Sequence, residues 1–226
     1  MSPTMKDEAK QLRICELFRS IAGETTHAGL PATFVRLAGC NLRCRWCDTQ
    51  KAWAEGKPVG MEYLLGQVMD LPDRLVVVTG GEPLLQTGCA EFCRQLLAAG
   101  KSVLLETNGS IDIGCLPTGV RVILDMKPPG SGEHARMDLE NLGRLDAEDE
   151  LKFVIADRED FDWAVHLLKD RAVPVDGRVL FSPVMGKIEP RLLAQWIMAQ
   201  NLPLRLQIQL HKVLWPDGDE GIGILT

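Results

Sequence analysis

Apolar, β-branched runs alternate with amphipathic segments of helix length along most of this chain, and this alternation limits the folds it can adopt. The run RLVVVTGG at residues 74–81 is continuously apolar and ends in two glycines, which is typical of a buried parallel strand. Further strands are predicted at residues 12–18, 33–39, 102–107, 120–126, 150–156, 178–183 and 204–209, and helices at 60–70, 86–100, 138–145, 159–170 and 189–200. Helix-length connections imply parallel strands joined by right-handed crossovers.

The number of strands selects among parallel architectures. Six or seven core strands follow residue 33, fewer than the eight of a closed barrel. Polar segments (TGGEP, ETNG, DMKPP and FSP) stand at the carboxyl ends of predicted strands, and in a barrel those ends meet at one mouth. The pattern therefore favours an α/β fold, a partial (open) TIM-like barrel of about six parallel strands with helices outside, over a doubly wound sheet.

Composition and charge narrow the class of protein. The 226 residues are 46% hydrophobic and 25% charged, which predicts a single globular domain over residues 1–226, with a flexible tail at 1–10 and a C-terminal segment at 209–226. No run of about 18 apolar residues predicts a membrane span, and the polar N-terminus does not resemble an export signal, so we expect a cytoplasmic protein. The net charge of −6, without clustered Lys and Arg, favours a small-molecule ligand over nucleic acid or a membrane surface.

Three of the seven cysteines lie close together, in a loop expected at residues 40–50. Cys40, Cys44 and Cys47 have C-x3-C-x2-C spacing, and the odd cysteine count without an export signal disfavours a disulfide framework. Three thiolates can bind three irons of a cubane cluster and leave the fourth iron open to another ligand. Two alternatives remain, a tetrahedral zinc site completed by His27 or Cys15, and buried thiols that bind nothing.

A second motif, TGGEP at residues 79–83, lies at the end of the strand predicted at residues 74–81. Glycines at positions 80 and 81 would let a ligand approach the main chain closely, and Glu82 would offer an acceptor for an ammonium group. The alternative is a tight turn between strand and helix.

The cysteine spacing, its place after a strand and Trp46 before the last cysteine resemble the radical S-adenosylmethionine superfamily. Further segments narrow the resemblance: ELFRSIAGE (16–24), FVRLAGCNLRCRWCDT (34–49), TGGEPLLQ (79–86), ETNG (106–109), DMKPP (125–129), LKFVI (151–155) and QLHKVLW (209–215). From about residue 12 to residue 215 they resemble the 7-carboxy-7-deazaguanine synthase family.

This resemblance implies a chemistry and its cofactors. It implies a homodimeric carbon–nitrogen lyase that converts 6-carboxy-5,6,7,8-tetrahydropterin to 7-carboxy-7-deazaguanine and ammonia, in 7-deazapurine (queuosine-type) biosynthesis. The implied cofactors are a [4Fe–4S] cluster, S-adenosylmethionine and Mg²⁺, and the implied partner is a flavodoxin-type electron donor. A 5′-deoxyadenosyl radical performs the chemistry, so no side chain is assigned a catalytic role.

The resemblance also implies site residues at matching positions. Cys40, Cys44 and Cys47 would hold the cluster, and Thr49 would bind magnesium. Substrate contacts are expected at Ile21, Ala22, Gly23, Arg36 and Thr79, with Arg36 clamping the substrate carboxylate. S-adenosylmethionine contacts are expected at Trp46, Cys47, Asp48 and Gly81 and, from looser matches, at Asp125, Met126, Lys127, Ser182, Pro183 and Val184. Ala22 stands where the family usually has Gln, and Thr25 where it usually has Gly.

The sequence alone leaves two other functions open. A glycyl-radical-enzyme activating enzyme shares the cysteine spacing but acts on a protein, and it is not expected to combine the CDT, SIAGE and LHK-x-LW segments. A zinc-stabilised, non-catalytic binding module would be colourless where an iron–sulfur protein is brown.

The other cysteines are expected in the core. Cys89 and Cys93 lie at i, i+4 on one helix, a spacing that could bind a second metal, but small buried thiols are commoner. Cys15 and Cys115 are also expected to be core residues, and His211 suits either a substrate contact or a core position.

Overall fold

The computed structural model describes residues 10–175, 178–216 and 222–225, so the predicted tail lies almost wholly outside the described residues. The strands are β1 (Gln11–Ile21), β2 (Pro31–Leu37), β3 (Lys57–Gly60), β4 (Leu75–Gly80), β5 (Ser102–Thr107), β6 (Arg121–Met126), β7 (Glu150–Ile155), β8 (Val179–Pro183), β9 (Leu204–Leu206) and β10 (Ile222–Leu225). The α-helices are α1 (Met61–Met69), α2 (Cys89–Ala98), α3 (Asn141–Arg144), α4 (Arg158–Asp170), α5 (Pro190–Met198) and α6 (Leu210–Leu214). Among the described helices, none has the length and apolar character needed to cross a membrane.

One sheet contains all of these strands, in the order β10-β1-β2-β4-β5-β6-β7-β8-β9, with β3 paired to β1. The seven strands from β2 to β9 along this path are parallel, whereas β1 pairs antiparallel with β2, β3 and β10. In the described part of the chain, β9 and β10 are the two edges of the sheet, so the barrel does not close. The predicted open α/β barrel of six or seven parallel strands is therefore confirmed.

The parallel strands separate a helix-covered face from a barrel interior. In β4, Val76 and Val78 pack with buried residues of α1 and α2, whereas Val77 and Thr79 face the interior, because successive side chains of a strand point to opposite faces. Strands β6 to β8 pack on α4 and α5 through a second apolar cluster that includes Phe153, Phe161 and Phe181. The interior therefore carries polar side chains such as Thr79 alongside apolar ones such as Val77 and Leu104.

The predicted elements match the observed ones closely, except at the margins of the sheet. The sequence patterns do not predict β3, β10 or α6, and the strand predicted at residues 204–209 is the shorter β9, which ends at Leu206. The strand sequences KPVG and IGIL contain Pro and Gly, which are depleted in strands. These segments become strands because the long β1 offers them an edge, which local sequence does not reveal.

The loop between β1 and β2, residues 22–30, is called the lower loop because it closes the end of the barrel opposite the carboxyl ends of the parallel strands. Because β1 is antiparallel to its neighbour, its end lies beside the amino-terminal ends of the parallel strands. The Thr26 amide donates to Glu150 at the start of β7 (N to Oε1, 3.0 Å), and Gln207, after β9, donates to the Thr25 carbonyl (3.0 Å). Thr25 has a φ of 71°, a left-handed conformation that favours glycine. This loop therefore forms the floor of the interior.

An ion pair at the same end of the sheet gives a test of stability. Asp73, before β4, accepts from Arg19 of β1 (Nε to Oδ2, 2.7 Å; Nη2 to Oδ1, 2.8 Å) and from Thr33 of β2 (Oγ1 to Oδ2, 2.9 Å). Hydrogen bonding from Arg19 lowers the pKa of Asp73, so its contribution is complete above the unfolded-state pKa of about 3.9 and is lost as the pH falls through the folded pKa.

We therefore expect Asp73→Asn to lower the free energy of unfolding at pH 7 by about 1.5 kcal/mol, at the low end for charged hydrogen bonds because Arg19 is partly exposed. The difference from the parent should shrink below about pH 4, where Asp73 of the unfolded chain becomes protonated, and should disappear as the pH falls through the lower folded pKa. Urea unfolding of the cofactor-free protein measures both quantities, with Glu62→Gln on the exposed face of α1 as the matched control. An equal loss at pH 7 and pH 3 would contradict the ionic contribution.

Candidate active site

One cavity occupies the barrel interior and opens at the carboxyl ends of the parallel strands, with an empty volume of about 1520 Å³ that includes its open mouth. Most of the predicted site residues line it: Ile21, Ala22, Gly23, Arg36, Cys40, Cys44, Trp46, Cys47, Asp48, Thr49, Thr79, Gly81, Asp125, Lys127 and Val184. Residues distant in sequence therefore converge on one space, as the positions of the polar segments predicted.

Three predicted cofactor contacts from the looser matches are not among the residues that line this cavity. Met126 is fully buried on the helix-covered side, since it alternates with Asp125 and Lys127 along the chain. Ser182 is paired in register with Val154, which does line the cavity, and Pro183 with Ile155, which packs in the core. The Ser182 hydroxyl is buried and has no hydrogen-bond partner within the described residues.

The glycines of the TGGEP motif pack against the cysteine loop. The Gly81 amide donates to the Leu37 carbonyl (3.1 Å), and the Glu82 amide donates to the Gly39 carbonyl (2.7 Å). A Cβ atom on Gly81 would lie 2.2 Å from the Gly39 oxygen and 2.7 Å from the Cβ of Cys40. Only glycine fits here, because the main chain of the cysteine loop makes the close approach that the sequence analysis ascribed to a ligand.

The expected role of Glu82 needs correction. Its side chain is fully buried and accepts hydrogen bonds from the Leu84 amide (3.0 Å), the Thr107 hydroxyl (2.9 Å) and the Asn108 amide (2.7 Å). Burial raises the pKa of this carboxyl, although the three donors act in the opposite direction. Both oxygens are thus engaged inside the protein, and Glu82 joins the ends of β4 and β5 instead of receiving an ammonium group.

The three clustered thiols suit a multi-iron group better than a single ion. Cys40, Cys44 and Cys47 are partly buried free cysteines on the cavity wall, and burial raises the pKa of Cys44 to about 11. Among the described residues, no three His, Cys, Asp or Glu side chains converge tightly enough to hold one metal ion. Thiolates that each bind a different iron of a cubane do not need such convergence, whereas a tetrahedral zinc ion does.

The suggested fourth zinc ligands lie elsewhere. Cys15 is on β1, beside Glu16, and His27 is in the lower loop, where Arg121 Nη1 and its Nε2 are 3.1 Å apart. His27 Nδ1 also lies 3.9 Å from Glu150 Oε1 at the lower end of β7. The arrangement therefore does not favour the zinc alternative.

The remaining cysteines divide between core and surface. Cys89 and Cys93 on α2 are fully buried, as expected for small apolar side chains. The expectation that Cys15 and Cys115 are core residues is wrong, since Cys15 is partly exposed and Cys115, in a short turn after β5, is exposed.

A group of buried charges at the centre of the cavity was largely missed by the sequence analysis. Lys152 of β7 pairs with Glu24 of the lower loop, and its Nζ lies 3.3 Å from Asp125 Oδ2. Asp125 also pairs with Lys127 (Oδ1 to Nζ, 3.0 Å). Burial alone would lower the pKa of Lys152, but the carboxylates of Glu24, Asp125 and Glu106 raise it above its ordinary value. A lysine in the middle of the apolar run ELKFVI was the signal available in the sequence.

Arg36 and Thr79 stand on neighbouring strands with acidic partners. Arg36 Nε donates to Glu16 Oε2 (2.8 Å), and its guanidinium carbon lies 5.5 Å from the centre of the Phe18 ring. The Thr79 hydroxyl donates to Glu106 Oε2 (2.8 Å). Burial raises the pKa of Glu106, although Lys152 and the Thr79 hydroxyl act in the opposite direction.

Thr49 ends the cysteine loop and contacts its neighbour Asp48. The Thr49 hydroxyl donates to Asp48 Oδ1 (3.1 Å) and does not cap the short 3₁₀ turn that follows. Asp48 Oδ2 lies 3.0 Å from Lys212 Nζ on α6. Burial opposes ionisation of Asp48, yet Lys212 and its other partners lower the pKa to about 2. The Thr49 hydroxyl is a hard oxygen donor of the kind that Mg²⁺ prefers.

The segment from Ile21 to Gly23 is constrained by its own loop and by the C-terminal segment. The Ala22 amide donates to the Leu30 carbonyl (2.8 Å), and the Gly29 amide donates to the Ala22 carbonyl (2.8 Å). A Cβ on Gly23 would lie 2.5 Å from Nδ1 of His211. Ala22 therefore already uses both of its main-chain groups, and Gly23 is needed for packing against His211, which itself lines the cavity.

Comparison with known proteins identifies the relatives of this chain. The radical SAM superfamily profile matches residues 35–190. The chain is 37% identical to 7-carboxy-7-deazaguanine synthase of Koribacter versatilis, over 93% of this chain and 100% of that protein, and 39% identical to that of Chlorobaculum tepidum, over 93% and 97%. The crystal structure of QueE from Escherichia coli superimposes with a TM-score of 0.74 at 25% identity, covering 88% of this chain and 94% of that one.

The similarity in sequence and in fold to these proteins extends over nearly the whole chain, including the strands that surround the cavity. The superfamily implies a [4Fe–4S] cluster and S-adenosylmethionine, for which the thiols of the cavity wall are suited. By its sequence and its fold, this chain belongs to the 7-carboxy-7-deazaguanine synthase family of the radical SAM superfamily.

Proposed function

We propose that this protein is a 7-carboxy-7-deazaguanine synthase, which contracts the ring of 6-carboxy-5,6,7,8-tetrahydropterin and releases ammonia in 7-deazapurine biosynthesis. The observation that carries the proposal is the convergence of the three cysteines, Arg36 and Thr49 in one cavity. The alternative that acts on a protein substrate is not favoured, because the relatives that match over nearly their whole length carry the synthase name.

The chain's own residues would hold the cofactors at the mouth of the barrel. Cys40, Cys44 and Cys47 bind the cluster. Trp46, Asp48 and Gly81 contact S-adenosylmethionine, and their position on the wall of the same cavity supports this assignment. When bound, these cofactors supply one-electron cleavage of S-adenosylmethionine and hydrogen-atom abstraction from C6 of the pterin. The matching but looser positions, 125–127 and 182–184, contribute to the cofactor site through Asp125, Lys127 and Val184 of the cavity wall.

The substrate would lie deeper, between Arg36 and the lower loop. Arg36 presents a guanidinium that can hold the pterin carboxylate through two parallel hydrogen bonds. Thr79 and the segment from Ile21 to Gly23 contact the ring, and Thr49 contributes one oxygen ligand to Mg²⁺, which waters and the substrate carboxylate complete. The buried ion pair of Lys152 and Glu24 would hold these two side chains in fixed positions beside the substrate.

The electron donor, the assembly and the compartment are further parts of the proposal. Arg43 and Arg45 are exposed within the cysteine loop, and the exposed Arg136 donates to the Asn41 carbonyl of that loop. This local positive charge, in a chain whose overall charge is −6, supports docking of an acidic, flavodoxin-type donor there. The homodimer is inferred from the family resemblance. The described cysteines are all unpaired, which suits a reducing compartment such as the cytoplasm.

The direct test is anaerobic reconstitution with iron and sulfide, followed by mass spectrometry of the reaction with 6-carboxytetrahydropterin and S-adenosylmethionine. Formation of 7-carboxy-7-deazaguanine and ammonia is expected. A brown, reconstituted protein that leaves the pterin unchanged would contradict the proposed substrate.

The cluster assignment is tested by Cys44→Ala. With one iron ligand lost, we expect incomplete iron loading and loss of 5′-deoxyadenosine formation, measured by iron analysis and chromatography. Cys115→Ala is the matched control, since its thiol is exposed away from the cavity and should leave both measurements unchanged. Parent-level 5′-deoxyadenosine formation by Cys44→Ala would show that this thiol is not a ligand.

The carboxylate clamp is tested by Arg36→Ala. Loss of charge-assisted hydrogen bonds, which contribute about 1.5–3 kcal/mol, should weaken substrate binding roughly tenfold to a hundredfold. Arg36→Lys should keep only part of the substrate affinity that Arg36→Ala loses, because one ammonium group cannot form two parallel hydrogen bonds. Anaerobic calorimetry measures both affinities, and unchanged binding by Arg36→Ala would place the carboxylate elsewhere.

The magnesium site is tested by Thr49→Val, which keeps the shape of the side chain but removes its oxygen. Substrate and magnesium should raise each other's affinity by the same factor in the parent, as linkage requires. The variant should lose magnesium stimulation and keep the iron–sulfur absorption spectrum. A full magnesium response in Thr49→Val would exclude this hydroxyl as a ligand.

A further inference from the structure

The start of β1 contains a bulge that changes which residue faces Arg36. Before the bulge Ile14 pairs with Leu37, and after it Glu16 pairs with Arg36, so Cys15 is one extra residue on β1. Without this extra residue, Cys15 would stand opposite Arg36 and Glu16 would point to the helix-covered side. Bulges of this kind redirect side chains and are frequent beside active sites.

The bulge places two β1 side chains around the Arg36 guanidinium. Glu16 accepts from Arg36 Nε (2.8 Å), and Phe18, two residues further on the same face, lies against the guanidinium carbon at 5.5 Å. Phe18 is itself stacked on Phe34, with ring centres 5.0 Å apart. Arg36 is therefore held along its Nε edge and across one face.

Glu16 has a second cationic partner, on the segment that follows Thr49. Lys51 Nζ donates to Glu16 Oε1 at 2.6 Å, while Arg36 occupies Oε2. The Glu16 side chain is 18% exposed and that of Arg36 10%, so solvent screens the ion pair between these two residues only weakly, whereas the Lys51 side chain is 50% exposed and its pair with Glu16 is screened more strongly. Burial alone would raise the pKa of Glu16, but Lys51 and Arg36 lower it, and the carboxylate stays ionised near neutral pH.

We propose that Glu16 is a positioning residue for the substrate carboxylate: it fixes the orientation of Arg36 and ties that arginine, through Lys51, to the segment carrying Thr49. Glu16 does not touch the substrate itself. An arginine held along its Nε edge loses less rotamer freedom when a carboxylate binds, so the clamp is preorganised. This inference rests on the proposed function, because it takes the substrate to carry a carboxylate.

The test compares Glu16→Gln with the parent by anaerobic calorimetry on the reconstituted protein with S-adenosylmethionine present. Gln keeps the size of the side chain and loses its charge, so the affinity for 6-carboxytetrahydropterin should fall about tenfold. For tetrahydropterin, which lacks the 6-carboxylate, parent and variant should bind equally. Glu62→Gln on α1 serves as the control for removing one negative charge and should match the parent.

A double variant separates positioning from a general structural effect. If Glu16 acts through Arg36, then adding Glu16→Gln to Arg36→Ala should change the affinity less than twofold, because the group it orients is gone. A full, additive loss in the double variant, or an equal loss for the analogue without the carboxylate, would overturn the proposal. Glu16→Asp keeps the charge on a shorter side chain and should give a smaller loss, so that the comparison survives if Glu16→Gln folds poorly.

The outcomes also distinguish this inference from the function it rests on. If Arg36→Ala loses affinity and Glu16→Gln does not, the clamp stands and the positioning role of Glu16 is wrong. If the parent binds tetrahydropterin as tightly as its 6-carboxy form, there is no carboxylate clamp and both the role of Arg36 and that of Glu16 are wrong. If the parent binds neither pterin, the proposed substrate is wrong as well.

Discussion

The close contact between the end of β4 and the cysteine loop is the constraint on which the site depends. Glycine at position 81 lets the two main chains touch, and the amides of Gly81 and Glu82 donate to the carbonyls of Leu37, at the end of β2, and Gly39, just before the loop. The buried Glu82 carboxylate then joins this turn to the end of β5 through three hydrogen bonds. A loop of otherwise irregular backbone is thereby fixed, and the three thiols gain defined positions on the cavity wall.

The second constraint is electrostatic. An open barrel leaves polar side chains in its interior, and a charge buried without a partner would cost several kcal/mol. Lys152 avoids this cost because it lies between the carboxylates of Glu24 and Asp125, which come from the lower loop and from β6. The ion pair of Lys152 with Glu24 also holds the lower loop to the sheet. The same contact therefore fixes the floor of the cavity and neutralises the buried charge.

The open side of the barrel is covered by chain segments instead of a further strand. After β9 the chain crosses towards the lower loop, where the Leu210 amide donates to the Gly23 carbonyl (2.9 Å). Lys212 of α6 then reaches Asp48 at the mouth. The C-terminal segment thus contacts both the floor and the cysteine loop, which explains why a motif at residues 209–215 accompanies the cysteine motif in the sequence.

Local sequence determined most of the architecture, because periodicity and glycine stops are local signals. They predicted the parallel strands, the principal helices and an open barrel, and the cysteine spacing predicted an iron–sulfur site. The tertiary structure decided the rest. The β3 and β10 strands exist because β1 supplies an edge, and Glu82 is an internal anchor because its three donors come from a neighbouring turn and from residues 107 and 108. Glu16 meets Arg36 only because a one-residue bulge shifts the register of two strands, a pairing that exists only once the strands are together.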